Sequence, residues 1–258
     1  MEPVNETETL NATAYNNANS SKYSTTSLVL VILAPTLTVL LQLVTATMKE
    51  SNKKGLEHCR RRIQHALTGL LFYTLSFILT HFVASMLLSS TTMLFYVLHS
   101  SRSRSKYIQQ CYMAHFGPLL REHEKNVHTP PGAFWFLFGT TLLILLFPIE
   151  IARASLLCLS FGDPLAAIVG TIIGGPTIHL KHGRKTLVGC GVCFITCVLI
   201  SIFCFGRKYG WFIWILTGFY ATTMEVSSGY TGIDDNILIP LGTGLGLWIY
   251  VNTYCTLT

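Results

Sequence analysis

Gly162-Asp163-Pro164-Leu165-Ala166-Ala167-Ile168-Val169-Gly170 sets a carboxylate between two apolar runs of a 258-residue chain. A charge at bilayer depth is costly, and it is retained for function or because the local backbone brings it to a water-filled cleft. Asp163 directly before Pro164 has the pattern of an N-cap followed by proline at the first helical position. That predicts a helix starting here, with its positive end toward water. Gly162, Ala166, Gly170 and Gly174 recur every fourth residue. They form a helix face almost free of side chain, open to close approach by a neighbouring helix or by a ligand. An ordinary N-cap beside a helix-packing stripe would look the same.

Half of the residues are hydrophobic, 12% are charged and the mean hydropathy is +0.48. Such a chain is too apolar for a soluble domain of this length and predicts an all-α polytopic membrane bundle, one unit rather than several. The net charge of +6 does not indicate nucleic acid, because the cations cluster in short loops between apolar runs, as membrane topology requires. The eight cysteines lie mostly inside those runs as small hydrophobes. Cys190, Cys193 and Cys197 imitate a metal spacing but fall in GCGVCFITCVLI with no nearby His or carboxylate, which favours packing over zinc.

Residues 1 to 26 are polar and carry Asn5-Glu6-Thr7, Asn11-Ala12-Thr13 and Asn19-Ser20-Ser21, three glycosylation acceptor patterns. They predict a disordered luminal tail in the secretory pathway, ahead of a membrane domain over 27 to 258. Residues 27 to 47 are uncharged and about 31 Å long at helical rise, enough for one span. Lys49, Lys53, Lys54, Arg60, Arg61 and Arg62 follow, so by the positive-inside rule this side is cytosolic. Residues 64 to 98 read as two spans with a tight luminal turn near His81. A cytosolic loop of 99 to 131 follows, in which 105 to 117 is amphipathic and suited to lie on the membrane surface. The fourth span is 132 to 148. Residues 149 to 162 return to the cytosolic side, with a short or broken helix near 149 to 174. A basic loop at 175 to 185 and spans at 187 to 205, 210 to 225 and 237 to 255 complete about eight. Arg207 and Lys208 are cations that resist this orientation.

The chain has three Asp, at 163, 234 and 235, and this topology brings all three to cytosolic helix ends. Arg61, Arg62, His65 and Gly69 share a helix face at the start of the second span, although a snorkelling Arg pair would also sit there. Lys185 opposes the dipole of the helix that follows, so it calls for an anionic partner. Glu225, Asp234, Asp235 and Asn236 cluster hard oxygen ligands suited to Mg2+, or Ca2+ in its place, carrying a nucleoside triphosphate. Cations for phosphate, carboxylates for a divalent ion and a small-residue cleft are what phosphoryl transfer requires, since its catalysis is mostly charge neutralisation and positioning. No Walker A loop and no protein-kinase Gly-rich, HRD or DFG element is present.

RRIQHALTG, SFGDPLAAIVG, GRKTLVG and EVSSGYTGIDDNILIPL, in this order and spacing, resemble the polyprenol kinase family of integral membrane lipid kinases that use CTP. The resemblance covers roughly residues 55 to 250. LLREHEKNVHTPPGAFWFLFG is similar to the diacylglycerol kinase branch, found in the eukaryotic endoplasmic reticulum. Arg62 stands where the family has Lys, Thr186 where it has Ser, and Cys190 where it has a second Ser. The resemblance implies transfer of the γ-phosphoryl group of CTP to diacylglycerol, giving phosphatidate, at a cytosolic site. Dolichol, polyprenol and phytol are the alternative acceptors, and a secondary transporter is the competing class. It further implies that Arg61, Arg62 and Lys185 hold phosphates. His65, Gly69, Gly162, Gly170, Thr186, Gly189 and Asn236 then contact the nucleotide, and Glu225, Asp234 and Asp235 organise Mg2+. Asp163 either accepts the hydroxyl proton or shares the metal. All of this requires the four stretches to converge at one cleft.

Overall fold

The computed structural model describes Thr36, residues 54–117 and residues 120–257. The N-terminal tail with its three acceptor patterns and the first expected span lie outside the described residues, Thr36 apart. The described chain is nearly all helix: α1 Lys54–Ile78, α2 His81–Arg104, α3 Lys106–Phe116, α4 Gly132–Leu146, α5 Ile149–Leu157, α6 Asp163–Ile173, α7 Leu187–Phe205, α8 Phe212–Thr231 and α9 Asp235–Leu257.

Local chemistry sets the boundaries. The turn near His81 is two residues long, and the Thr80 hydroxyl caps α2 by accepting from Val83 N at 3.4 Å. Ser105 is extended, ends α2, and caps α3 through Ile108 N, so the helix expected over 105 to 117 is present. α4 starts after Pro131 and stops at the extended Phe147, which precedes Pro148. α1 begins ten residues earlier than the span read from hydropathy, so Arg60, Arg61 and Arg62 are helical rather than in a loop.

Two readings are corrected. First, Asp163 is not an N-cap. Gly162 is helical (φ −60°, ψ −55°), and a wide π turn at Cys158–Gly162 joins α5 to α6 into one continuous stretch, Ile149–Ile173. Proline inside a helix removes an amide and clashes with the preceding turn; the wide turn just before Pro164 re-registers the ladder and absorbs both effects. Asp163 therefore lies within an apolar span, ten residues or about 15 Å from its end, rather than at a cytosolic helix terminus. Second, the basic stretch 175 to 185 is not an irregular loop. Thr177–Leu180 (β1) pairs antiparallel with Gly183–Thr186 (β2), in the register Thr177 to Thr186. His182 N donates to Gly229 O at 2.8 Å, tying the hairpin tip to α8.

Four segments among the described residues are long and apolar enough to cross a membrane: His81–Arg104, Ile149–Ile173, Leu187–Phe205 and Asp235–Thr256. The all-α membrane architecture is borne out, but the count of about eight spans is not confirmed. α1 is basic at its start, α4 has 15 residues, and α8 carries Thr217, Glu225 and Ser228 on its buried side. Large apolar side chains such as Phe82, Leu94, Ile172 and Phe203 stay exposed, as a lipid-facing surface requires. The interior is built from Phe136, Leu143, Ala152, Leu156, Leu159 and Ile239 at one level, and from Ile151, Ala154, Phe205, Ile213 and Leu247 at another. Cys158, Cys193 and Cys197 pack with Ala166 and Ala221 in a third cluster, as small apolar side chains. Of the two cations that resist the expected topology, Lys208 is paired with Glu150 at 2.7 Å.

Candidate active site

The π turn delivers Asp163 to α1. Arg62 Nη1 donates to Asp163 Oδ2 at 2.9 Å and to the Asp163 carbonyl at 3.3 Å, across 101 residues of sequence. The hairpin performs the same service for Lys185, whose Nζ donates to Glu225 Oε1 of α8 at 3.1 Å. At the entry to α9, Asp234 Oδ1 accepts from Asn236 N at 3.0 Å and from Asn236 Nδ2 at 2.7 Å. This cap starts the helix on which Asp235 sits.

Two cavities open around these groups. One, of about 1080 Å³, is half polar. Ala166, Ala167 and Gly170 of α6 line it together with the hairpin, Thr186, Gly189, Glu225, Asp234 and Asp235. Its volume is at the upper end for a small-molecule site. The other, of about 440 Å³, is mainly apolar. It runs between α2 and α4, where Leu87, Leu94, Phe95, Leu98, Phe136 and Leu137 line it. Its inner end is charged, with Arg61, His65, Asp163 and Asn236. Arg62, Arg121 and Asp235 line both cavities, forming a common wall.

The electrostatics of this wall are balanced by opposite charges. Burial works against the Lys185 ammonium, but the carboxylates of Glu225, Asp163 and Asp235 outweigh it and hold the group above the ordinary lysine range. Burial, reinforced by the neighbouring Asp235 charge, pushes the Asp234 carboxyl up to about 6, against the hydrogen bonds from Asn236. Arg121 and then Lys185 are the leading positive groups acting on Asp235. Several buried side-chain atoms have no hydrogen-bond partner: His65 Nε2, Asp163 Oδ1, Glu225 Oε2 and Asn236 Oδ1 all belong to this region. Native interiors rarely leave such atoms unpaired.

Apart from Arg62 and Asp235, which line both cavities, the expected cavity-lining residues divide between the two. Lys185, Thr186, Gly170, Gly189, Glu225 and Asp234 face the polar cavity, while Arg61, His65, Asp163 and Asn236 face the apolar one. Gly69 and Gly162 line neither. A Cβ at Gly69 would collide with the Ser160 side chain, and one at Gly162 would meet Cys197 Sγ at 2.8 Å. The structure places these two glycines at close helix–helix contacts. Gly170 lines the polar cavity and also abuts Gly189 and Thr186 where α6 meets α7. The expected three-carboxylate group is not assembled: among the described residues, no three His, Cys, Asp or Glu are grouped to hold a metal ion. Glu225 turns one oxygen to Lys185 instead.

Arg121 is a residue that sequence reasoning missed. Glu124, only 4% exposed, clamps it: Glu124 Oε2 accepts from Arg121 N at 2.8 Å, Oε1 accepts from Gly132 N at 3.0 Å, and Arg121 Nε lies 3.8 Å from Oε1. The buried Arg102 braces this loop by donating to the Glu124 and Lys125 carbonyls, with its guanidinium over the Tyr112 ring at 4.4 Å. The available signal was Arg121-Glu122-His123-Glu124 ahead of Pro130-Pro131-Gly132, a charged run that reads as an ordinary surface loop. Arg184, His182 and Trp135, which also line the polar cavity, were missed as well.

No protein-family model matches the chain, and no solved structure matches it. It is 29% identical over 195 residues to the uncharacterized protein RP860 of Rickettsia prowazekii, an alignment covering 74% of this chain and 93% of that one. It is 29% identical over 146 residues to a protein of Schizosaccharomyces pombe named CTP-dependent diacylglycerol kinase 1, covering 52% of this chain and 65% of the relative. A protein of the same name from Eremothecium gossypii is 35% identical over 98 residues, covering 38% and 28%. The chain thus spans less than two thirds of the length of each of these two named relatives. These partial likenesses broadly support kinship with the CTP-dependent lipid kinases.

Proposed function

We propose that this chain is a CTP-dependent lipid kinase that phosphorylates a membrane alcohol, diacylglycerol, to give phosphatidate. The observation that carries this reading is the wall of Arg62, Arg121 and Asp235 shared by a polar and an apolar cavity. A water-soluble triphosphate and a bilayer alcohol need two such chambers, with their reacting ends in contact.

In this reading the triphosphate lies in the polar cavity against Lys185 and Arg184, on the Gly170–Gly189 floor, and its terminal phosphate reaches Arg62 and Arg121. The lipid hydroxyl enters from the apolar side. Its oxygen forms a bond to the γ-phosphorus, the bond from that phosphorus to the β,γ-bridging oxygen breaks, and CDP leaves with the electron pair. Asp163 Oδ1, unpaired while Oδ2 is held by Arg62, accepts the hydroxyl proton. Its place on the apolar side favours this role over metal ligation. Arg62 and Arg121 stabilise the charge spread over the transferring oxygens.

Mg2+, or Ca2+ in its place, supplies further neutralisation of the phosphates when bound. Asp234 and Asp235 fit that ion: they are adjacent carboxylates in the polar cavity, and Mg2+ characteristically takes one or two carboxylates plus substrate phosphates and water. The cytosolic face of the endoplasmic reticulum membrane is the location that suits CTP as donor. The test is transfer from γ-labelled CTP or ATP to dioctanoylglycerol, dolichol and phytol by purified protein in mixed micelles. Labelled phosphatidate from CTP upholds the proposal; preference for dolichol or phytol moves the acceptor class, and no labelled lipid refutes it.

A further inference from the structure

We infer that His65 serves the acceptor and not the nucleotide: its Nε2 and Asp163 Oδ1 together form a hydroxyl-binding pair at the inner end of the apolar cavity. This rests on the reading that the cavity takes a lipid alcohol. The two atoms come from α1 and α6, line the same 440 Å³ space, and are both buried without a hydrogen-bond partner. The Asp163 carboxylate is the strongest charge acting on His65. The His65 ring is fixed edge-on against Phe136, with centroids 4.6 Å apart, and Arg62 occupies the other Asp163 oxygen. Each free atom is therefore held in place by a neighbour that does not satisfy it.

The chemistry of the two atoms selects the ligand. An ionised carboxylate oxygen can only accept, whereas an imidazole nitrogen in the protonated tautomer donates. A group that satisfies both at once must donate and accept through neighbouring sites, which a hydroxyl does with a single oxygen. A phosphate oxygen is excluded beside Asp163 by like charge, and an ammonium has nothing to offer the imidazole N–H. The hydroxyl donates to Asp163 Oδ1 and accepts from His65 Nε2. One lone pair of the hydroxyl oxygen remains free, in a cavity that Arg62 and Arg121 also line. The pair thus discriminates an alcohol from the rest of the lipid: an ester carbonyl could accept from His65 but has no proton to give Asp163, and hydrocarbon offers neither.

The test uses the purified full chain with His65→Ala and His65→Gln, because Gln places an amide donor near the position of Nε2. Thermal unfolding is followed with 1,2-dioctanoyl-sn-glycerol alone and with CTP and Mg2+ alone, and KM is measured for each. His65→Ala is expected to lose the dioctanoylglycerol shift and to raise its KM about tenfold, the scale of one buried hydrogen bond, while the CTP values stay within twofold. His65→Gln recovers part of the loss. A CTP defect with an unchanged acceptor response overturns the assignment, as does an unchanged response to both ligands. If either variant does not fold, the other decides by the same comparison. Should neither fold, a dioctanoylglycerol shift in Asp163→Asn equal to wild type overturns the pair. If wild type transfers no phosphate yet the binding shift still depends on His65, the pair stands and the kinase reading falls.

Discussion

Arg121→Ala separates the function of the common wall from its stability. The two hydrogen bonds through which Glu124 organises this loop come from the backbone N–H groups of Arg121 and Gly132, and both survive the substitution. What is lost within the protein is the leading positive charge acting on Asp235 and the side-chain contact to Glu124 at 3.8 Å; with the Arg121 side chain 34% exposed, a pair so open to solvent contributes about 0–1 kcal/mol. The unfolding midpoint of a chain this size should fall by only a few degrees. Toward the substrate the guanidinium forms charge-assisted hydrogen bonds to the transferring phosphate, at about 1.5–3 kcal/mol for contacts of this kind. That corresponds to roughly 10- to 150-fold in kcat/KM for CTP. Arg121→Lys keeps the charge but not the fork and should fall between the two. The assay is labelled transfer from CTP to dioctanoylglycerol alongside a thermal melt. A loss below threefold, or a large drop in stability with normal activity in the folded fraction, would refute the reasoning.

Asp163→Asn keeps an acceptor for Arg62 but removes the proton acceptor. Transfer should fall by about 10²- to 10⁴-fold while the protein remains folded, and an active Asn variant would remove Asp163 from the mechanism. Lys185→Met leaves Glu225, 2% exposed, as an uncompensated buried charge, so stability should drop by about 3–5 kcal/mol. Adding Glu225→Gln should restore the melt but not the activity, and recovery of both would contradict a phosphate role for Lys185. Gly69→Ala should destabilise by about 1–3 kcal/mol through its collision with Ser160 and leave the KM for CTP unchanged in folded protein. Ser160→Gly should relieve that cost, and a tenfold rise in KM without loss of stability would return Gly69 to the nucleotide site.

Part of the site was legible from residue chemistry: Lys185, at the start of a helix whose dipole it opposes, calls for an anionic partner and finds Glu225. The details that depend on tertiary contact were not. Asp163-Pro164 carries every local mark of a helix start, yet the π turn lets the helix run through, and the ion pair with Arg62 takes the carboxylate that a cap would have used. The hairpin over 177 to 186 is four residues a side and basic, too short and polar for a strand pattern to stand out. Its anchor is the distant carbonyl of Gly229. Gly69 and Gly162 share spacing and neighbours with the site residues, and only the opposing side chains of Ser160 and Cys197 reveal that they serve packing. Arg121 gave no periodic or motif signal; its position comes from a buried Glu124 that reads in sequence as a surface charge.

The most direct measurement is a structure of the protein bound to a non-hydrolysable CTP analogue, Mg2+ and dioctanoylglycerol. The terminal phosphate should lie within hydrogen-bonding distance of Arg62 and Arg121, with the glycerol hydroxyl facing it from the side of His65 and Asp163. A terminal phosphate remote from both arginines, or a lipid hydroxyl bound elsewhere, would contradict the two-chamber account.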